Sequence, residues 1–365
     1  MSRNLAKTLF PTDAELRFDE VIDVRSPGEF LDDHVSGAIN LPVLDDEERV
    51  RIGTLYKQIS PFAARKVGAA LVSRNIANHL ESHFASKEKD YRPLLYCWRG
   101  GQRSGSLGLV LAETGWQTTL IEGGYKTYRA HVVSTLKDRS SRCSFIVLNG
   151  FTGAGKTLLL RALAKIGEQT LDLEELASHK GSVFGGDPES PQPAQKRFES
   201  LLYDRLSRFD ESRPVFLEAE SSKIGRLNLP NPLWQKMKFA PVIEIVSPLA
   251  ARADHLTADY QDWLGDPERV MLTIDRLKGF HSDRTLAGWK ALSDRGEWQE
   301  LVTRLLAEHY DRRYSIGGSG HFEVPTFSLD LPLHDAATVR KVAALLVERA
   351  NVISGSARDA GAEIR

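Results

Sequence analysis

Two cysteines in 365 residues are too few for a disulfide framework, so the fold must rest on ordinary hydrophobic cores and a reducing cytoplasm is its expected setting. No apolar run approaches the roughly 20 residues that a membrane span needs. The first ten residues hold no apolar leader core, so neither a span nor a secretory signal is expected. Net charge is also missing: at −1, the field of the whole molecule offers nothing to a nucleic acid, and any RNA site must be a local patch. Lys236, Lys238, Arg276, Lys278, Arg284 and Lys290, with Arg304, Arg312 and Arg313, are the candidates. Acidic residues are interspersed among them, and the pattern reads first as a solvated face. What is present, 41% apolar and 27% charged residues, describes a soluble globular enzyme. The length exceeds what one core usually organises and predicts two domains, over residues 1–137 and 138–352, followed by a small, polar tail at 353–365 expected to be disordered.

In the first half, residues 20–24 read as a short buried strand that Ser26-Pro27-Gly28 breaks into a turn, and residues 59–83 carry helical spacing. A strand at 93–96 runs into Tyr96-Cys97-Trp98-Arg99-Gly100-Gly101-Gln102-Arg103-Ser104. A helix capped by Ser104 and ending near Gly115 follows, then a strand at 118–121 that stops at Glu122-Gly123-Gly124. Strand, cysteine, Gly-rich turn and helix together favour a thiolate, because loop N–H groups and a helix N-terminus both attract negative charge. Arg99 and Arg103 add cationic charge, so Cys97, Arg99 and Arg103 form the candidate catalytic set. Cys143 instead enters the apolar run 145–148 and reads as a packed, inert thiol.

The second half starts again with the strand 145–148, which enters Gly150-Phe151-Thr152-Gly153-Ala154-Gly155-Lys156-Thr157, and the helix 158–166 leaves it. This is a P-loop in its required context. Gly150, Gly153, Ala154 and Gly155 bring backbone N–H groups to phosphate oxygens, Lys156 neutralises them, and Thr157 is placed to hold Mg²⁺. Further strands at 169–173, 214–217 and 241–246 complete a parallel sheet covered by helices. Glu218 or Glu220, at the end of the third strand, is the candidate Walker-B-like acid, and Glu218 with Thr157 is the tentative metal pair. The Gly-rich stretch 179–186 reads as a surface loop rather than a pocket wall. Trp298, Leu301, Leu305, Leu306 and Tyr310, in a helical region running from Trp289 to Tyr314, read as core.

Asp23-Val24-Arg25-Ser26-Pro27-Gly28-Glu29-Phe30, His34-Val35-Ser36-Gly37-Ala38-Ile39-Asn40-Leu41-Pro42, the Cys97 loop and Glu122-Gly123-Gly124 resemble a rhodanese domain over about residues 5–135. That resemblance implies a loop cysteine that carries sulfur or selenium. The Cys97-x5-Arg103 spacing also meets that of cysteine phosphatases. Those of the tyrosine type usually have His where Tyr96 stands, and no leaving-group acid is evident, so sulfur or selenium chemistry is favoured.

A rhodanese domain followed by a P-loop domain is similar to the bacterial tRNA 2-selenouridine synthase family. The similarity is carried further by Tyr125-Lys126, His179-Lys180-Gly181-Ser182, Glu218-Ala219-Glu220-Ser221 and Tyr310-Asp311. Lys180 stands where the family usually has Arg, which keeps the charge and loses the bidentate fork. The resemblance implies an α/β enzyme that acts on tRNA bearing 2-thiouridine at the wobble position and replaces its sulfur by selenium from selenophosphate. It also implies geranylation of that sulfur by geranyl diphosphate, and a selenophosphate-supplying enzyme as a partner. Cys97 would then handle the selenium donor and the P-loop the diphosphate. ATP or GTP remains the conventional P-loop ligand. A sulfurtransferase coupled to a nucleotide hydrolase, and a non-enzymatic RNA-binding or sulfur-relay adaptor, are the competing readings.

Overall fold

The computed structural model describes residues 4–10, 17–182, 184–186, 190–313, 322–331 and 336–362. Val183 of the Gly-rich stretch, Tyr314 at the end of the expected helical region, and residues 363–365 lie outside them. The chain divides into two compact units, Met1–Leu136 with Pro193–Ser207, and Lys137–Gln192 with Arg208–Arg365.

In the first unit, strands β1 (Leu5–Thr8), β2 (Glu20–Asp23), β3 (Ile39–Asn40), β4 (Pro93–Tyr96) and β5 (Thr118–Ile121) form one parallel sheet in the order β1-β5-β4-β2-β3. The central strand β4 is buried throughout, as a continuous apolar run in a parallel sheet should be. Ile22, Val24, Leu95, Leu107, Leu111, Trp116 and Leu120 make up much of the core. Ser26-Pro27-Gly28 does more than turn the chain: it starts a short helix, Pro27–Asp32. Proline suits a first helical position, where its missing N–H costs nothing, and the Glu29 carboxylate accepts from both the backbone N–H and the hydroxyl of Ser26. Helix Asp46–Gln58, unread in the sequence, begins at an Asp45/Glu48 capping box, and Pro61–Glu81 follows it. The helix after Cys97 runs Gln102–Thr114 from Gly101, so Ser104 sits inside its first turn instead of capping it. The boundary expected between residues 137 and 138 falls inside helix Gly124–Arg142.

In the second unit, β6 (Phe145–Asn149), β7 (Gln169–Leu171), β8 (Val215–Glu218), a small antiparallel hairpin β9 (Lys223–Ile224) and β10 (Leu227–Asn228), β11 (Val242–Val246) and β12 (Phe327–Asp330) follow in turn. The main sheet is parallel, in the order β12-β11-β6-β8-β7. Its strand order reverses beside β6, so the carboxyl end of that strand is where such a sheet opens a ligand crevice. Ile146, Leu148, Phe216, Ile243 and Ile245 pack against helix Lys156–Lys165 and against Val339, Ala343 and Leu346 of helix Ala336–Ala362. That last helix runs through residues 353–362, where composition alone suggests a disordered tail. A second apolar cluster gathers Val270, Ile274, Leu277, Leu286, Trp289, Leu292, Leu301 and Leu305, with Trp298 and Tyr310 against it. The helical region is broken near Gly296 into Asp283–Asp294 and Trp298–Leu305, and the latter continues as one π turn, Leu306–Tyr310.

Candidate functional site

Strand β4 delivers Cys97 to the mouth of a loop whose donors close on its sulfur. The Gly101 N–H donates to Sγ at 3.3 Å and the Ser104 hydroxyl at 3.2 Å, while helix Gln102–Thr114 begins at the same point. Negative charge on the sulfur, or on an atom bound to it, is therefore met by fixed donors and a helix N-terminus. The loop is held from behind by the start of helix Gly124–Arg142, just after Glu122-Gly123: Tyr125 N–H donates to the Cys97 carbonyl at 2.8 Å and Lys126 N–H to the Trp98 carbonyl at 3.1 Å. Gly124 has φ +59°, and a Cβ there would lie 2.1 Å from the Cys97 carbonyl oxygen, so only glycine fits.

The two arginines of the candidate set part company. Arg99 is exposed on the loop. Arg103 gives both terminal nitrogens to the Glu29 carboxylate, at 2.6 and 3.3 Å. A phosphatase arginine must present that fork to phosphate, so this ion pair weighs against the phosphatase reading and makes Arg103 a brace of the loop. Beneath lies a buried network that the sequence motif only outlines. Arg25 pairs with Asp23 at 2.6 Å, donates to the Asp33 carbonyl, and lies 4.0 Å over the Tyr125 ring. The Asp33 carboxylate accepts from Tyr125 and from Ser200 of helix Gln195–Ser207, at 2.9 Å each. Burial raises its pKa against the pull of those hydrogen bonds.

In the second unit, β6 runs into the P-loop, whose Gly150, at φ +150°, comes so close to β11 that a Cβ would meet the Ile245 carbonyl at 2.5 Å. Gly155 starts helix Lys156–Lys165, Ala154 is buried, and Lys156 Nζ donates to the Gly150 carbonyl at 2.8 Å. Arg252 braces this loop. It is buried, donates to the Thr152 carbonyl at 3.1 Å, and makes a two-pronged pair with Asp311 at 2.9 and 2.7 Å. Tyr310-Asp311 pointed to half of that pair; nothing local to Arg252 pointed to the other half.

Of the tentative metal pair, Thr157 lines the cavity and Glu218 does not. Glu218 is buried away from the cavity, and its Oε1 accepts the N–H groups of Leu173 and Glu174 at 2.7 and 3.0 Å. Burial, with the charges of Asp172 and Glu174, pushes its pKa well up. Among the carboxylates that line the cavity, Glu174 has its Oε2 3.5 Å from the Thr157 hydroxyl, and Glu220 is hydrogen-bonded to Glu174. Burial and the neighbouring Glu174 carboxylate push Glu220 up to about 8 against the opposing pull of Lys156, and Glu174 is raised as well. Two oxygen-donor side chains beside a P-loop threonine fit a hard cation such as Mg²⁺.

Thr152 to Thr157 of the P-loop, Glu174 and Glu220 line one cavity of about 1450 Å³. The Gly-rich stretch, read from sequence as a surface loop, lines it: Lys180 pairs with Asp259 at 2.5 Å and stacks 4.1 Å over Tyr260, which fixes the stretch as a wall. Thr152, Ser182, Phe184, Leu256, Tyr260 and Tyr310 also border a second, apolar cavity of about 60 Å³, closed by Leu264, Val270, Leu301, Val302, Leu305 and Leu306.

Residues 11–131 match the rhodanese-like domain, and residues 143–282 match the tRNA 2-selenouridine synthase AAA domain. A tRNA 2-selenouridine synthase of Nitrosomonas europaea is 39% identical over 263 residues, covering 70% of this chain and 68% of that protein. The chain belongs to the tRNA 2-selenouridine synthase family. Relatives of the same name from Aeromonas salmonicida and a Sulfurovum strain are 38% and 35% identical, covering 68% and 72% of this chain and 67% and 72% of theirs. Among the described residues no helix is long and apolar enough to cross a membrane.

Proposed function

We propose that this family member exchanges sulfur for selenium at the 2-thiouridine of the tRNA wobble position, with selenophosphate as the donor and an S-geranyl intermediate made from geranyl diphosphate. The observation that carries the reading is the P-loop cavity of about 1450 Å³, in which Phe184, Leu256, Tyr260 and Tyr310 stand in the same wall as the phosphate cradle. An isoprenoid diphosphate asks for a phosphate cradle that opens onto hydrocarbon walls. The P-loop N–H groups and Lys156 neutralise the departing diphosphate, which assists breaking of the allylic C–O bond. Thr157, Glu174 and Glu220 would hold a Mg²⁺ ion, which supplies further positive charge to the diphosphate when bound.

Alkylation converts the C2 sulfur of the base into a group that departs as geranylthiol; the selenium of selenophosphate bonds to C2 in its place, and hydrolysis of the P–Se bond releases phosphate. Cys97, under the Gly101 N–H and the Ser104 hydroxyl, serves the selenium donor, with Arg99 as the exposed cation of the loop. A selenophosphate-supplying enzyme is the matching partner, and the cytoplasm the setting.

Nucleoside mass spectrometry of 2-thiouridine tRNA, with selenophosphate and geranyl diphosphate omitted in turn, tests this. Cys97→Ala is expected to abolish selenation and keep geranylation, whereas Lys156→Ala impairs geranylation. Loss of both activities in folded Cys97→Ala protein would end the division of labour. Unchanged tRNA alongside nucleotide hydrolysis would favour the hydrolase-coupled sulfurtransferase instead.

A further inference from the structure

We propose that Phe280 is the stacking surface on which the P-loop cavity receives the thiouracil base of its RNA, an inference that rests on the function proposed above. The cavity has two chemically different regions. One is the phosphate cradle around Lys156. The other is built by Phe280, His309 and Arg313, which line the same cavity. Phe280 is 59% exposed although it belongs to a cavity wall, so a large apolar face is left to water. The Arg313 guanidinium lies 4.4 Å from its centroid, and the His309 ring stands 6.4 Å away at 61°.

His309 is firmly built in. It is 3% exposed, shares a 2.8 Å hydrogen bond between its Nδ1 and His281 Nε2, and is carried on the π turn Leu306–Tyr310. The His281 ring in turn packs edge-on to buried Trp289 at 4.7 Å. Burial, then the nearby His281 and Arg313, draw the His309 pKa down to about 4, so its ring is neutral near pH 7. Single π turns inside helices are uncommon and concentrate at functional sites. The exposed aromatic face suits stacking by a ring, and the Arg313 guanidinium beside it suits the charged backbone that carries the base.

Chemistry on a ring atom of a base requires that base to leave its stack. An aromatic side chain then replaces the lost stacking, tolerantly of base identity. For sulfur to attack the allylic carbon, base and diphosphate must also occupy one enclosure. At about 1450 Å³ this cavity exceeds the roughly 300–1,000 Å³ usual for one small ligand and accommodates two reactants.

The test uses the full chain without either donor. Binding of a fluorescent anticodon stem-loop carrying 2-thiouridine is measured for wild type, Phe280→Ala and Phe280→Tyr, with inorganic pyrophosphate binding measured in parallel. Phe280→Ala is expected to weaken RNA binding by about 5- to 150-fold, the range found when one stacked base loses its aromatic partner, with pyrophosphate binding retained and Phe280→Tyr near wild type. RNA binding by Phe280→Ala equal to wild type overturns the inference, and so does an equal loss of pyrophosphate binding, which would mark Phe280 as structural. A wild-type chain that binds pyrophosphate but no RNA overturns the tRNA function itself.

Discussion

Ser104 donates to the Cys97 sulfur from within the helix that follows it, and the Gly101 N–H completes the pair of donors. Removing the hydroxyl leaves backbone and helix in place. Hydrogen bonds to charged groups contribute about 1.5–3 kcal/mol, so Ser104→Ala is expected to slow selenation by roughly 10- to 150-fold. Geranylation by the same variant should match wild type, and an equal loss of both activities in the mass-spectrometric assay would refute the role. The residue scale is also where the sequence was easiest to read for backbone cradles and hardest for carboxylates. Cys97, Lys156 and the glycines around them announce themselves because loop geometry near an anion demands those residue types at fixed spacing. Glu218 and Glu220 stand two residues apart at the end of one strand. Which of them faces the cavity is decided by the N–H groups of Leu173 and Glu174, which claim Glu218.

Two short elements meet at the cysteine loop, and glycine is what lets them meet. The first turn of helix Gly124–Arg142 follows β5 and supports the loop that follows β4 through two backbone hydrogen bonds, from Tyr125 and Lys126. A methyl group on Gly124 would strike the Cys97 carbonyl and would also require a positive φ from an L residue. Gly124→Ala is therefore expected to lower the first unit's stability by at least about 1–2 kcal/mol and to shift the cysteine loop. Urea unfolding and the rate of Cys97 alkylation measure the two effects, and a variant unchanged in both would show that the segments do not support each other. The helix at Pro27–Asp32 carries a related lesson. Ser-Pro-Gly looks like a breaker, yet Ser before Pro, with Glu three places on, is also a helix start, and only the docking of Glu29 against Ser26 and Arg103 selects between them.

Across the whole molecule, pH acts in opposite senses on Glu20 of the first unit and Glu220 of the second. Glu20 is partly buried, which opposes ionisation, but bonds from Lys87, Tyr91 and His83 prevail and bring it from 4.5 to about 2. Its contribution is complete above about 4.5 and fades as pH falls through 2. Glu220 behaves inversely: its contribution is complete below 4.5 and fades as pH rises through about 8. Urea unfolding should therefore find Glu20→Gln destabilised at pH 7 but converging on wild type as pH falls toward and below 2, and Glu220→Gln gaining on wild type between pH 5 and pH 9. Stability differences from wild type that stay constant across pH would contradict both assignments.

The sequence by itself determined the α/β class, the two-part order, the cysteine loop and the P-loop, because each is written in contiguous residues with a fixed spacing. Tertiary structure alone decided the rest. Edge strands β1 and β12 are short segments that become strands only by pairing with β5 and β11. Helix Gln195–Ser207 groups with the first unit although its neighbours in sequence belong to the second, and Ser200 there completes the hydrogen bonding of Asp33. Arg252 and Asp311, 59 residues apart, brace the P-loop together. The physical reason is common to all three: buried polar groups and strand edges must be satisfied by whatever the fold brings near, and that partner has no fixed address along the chain.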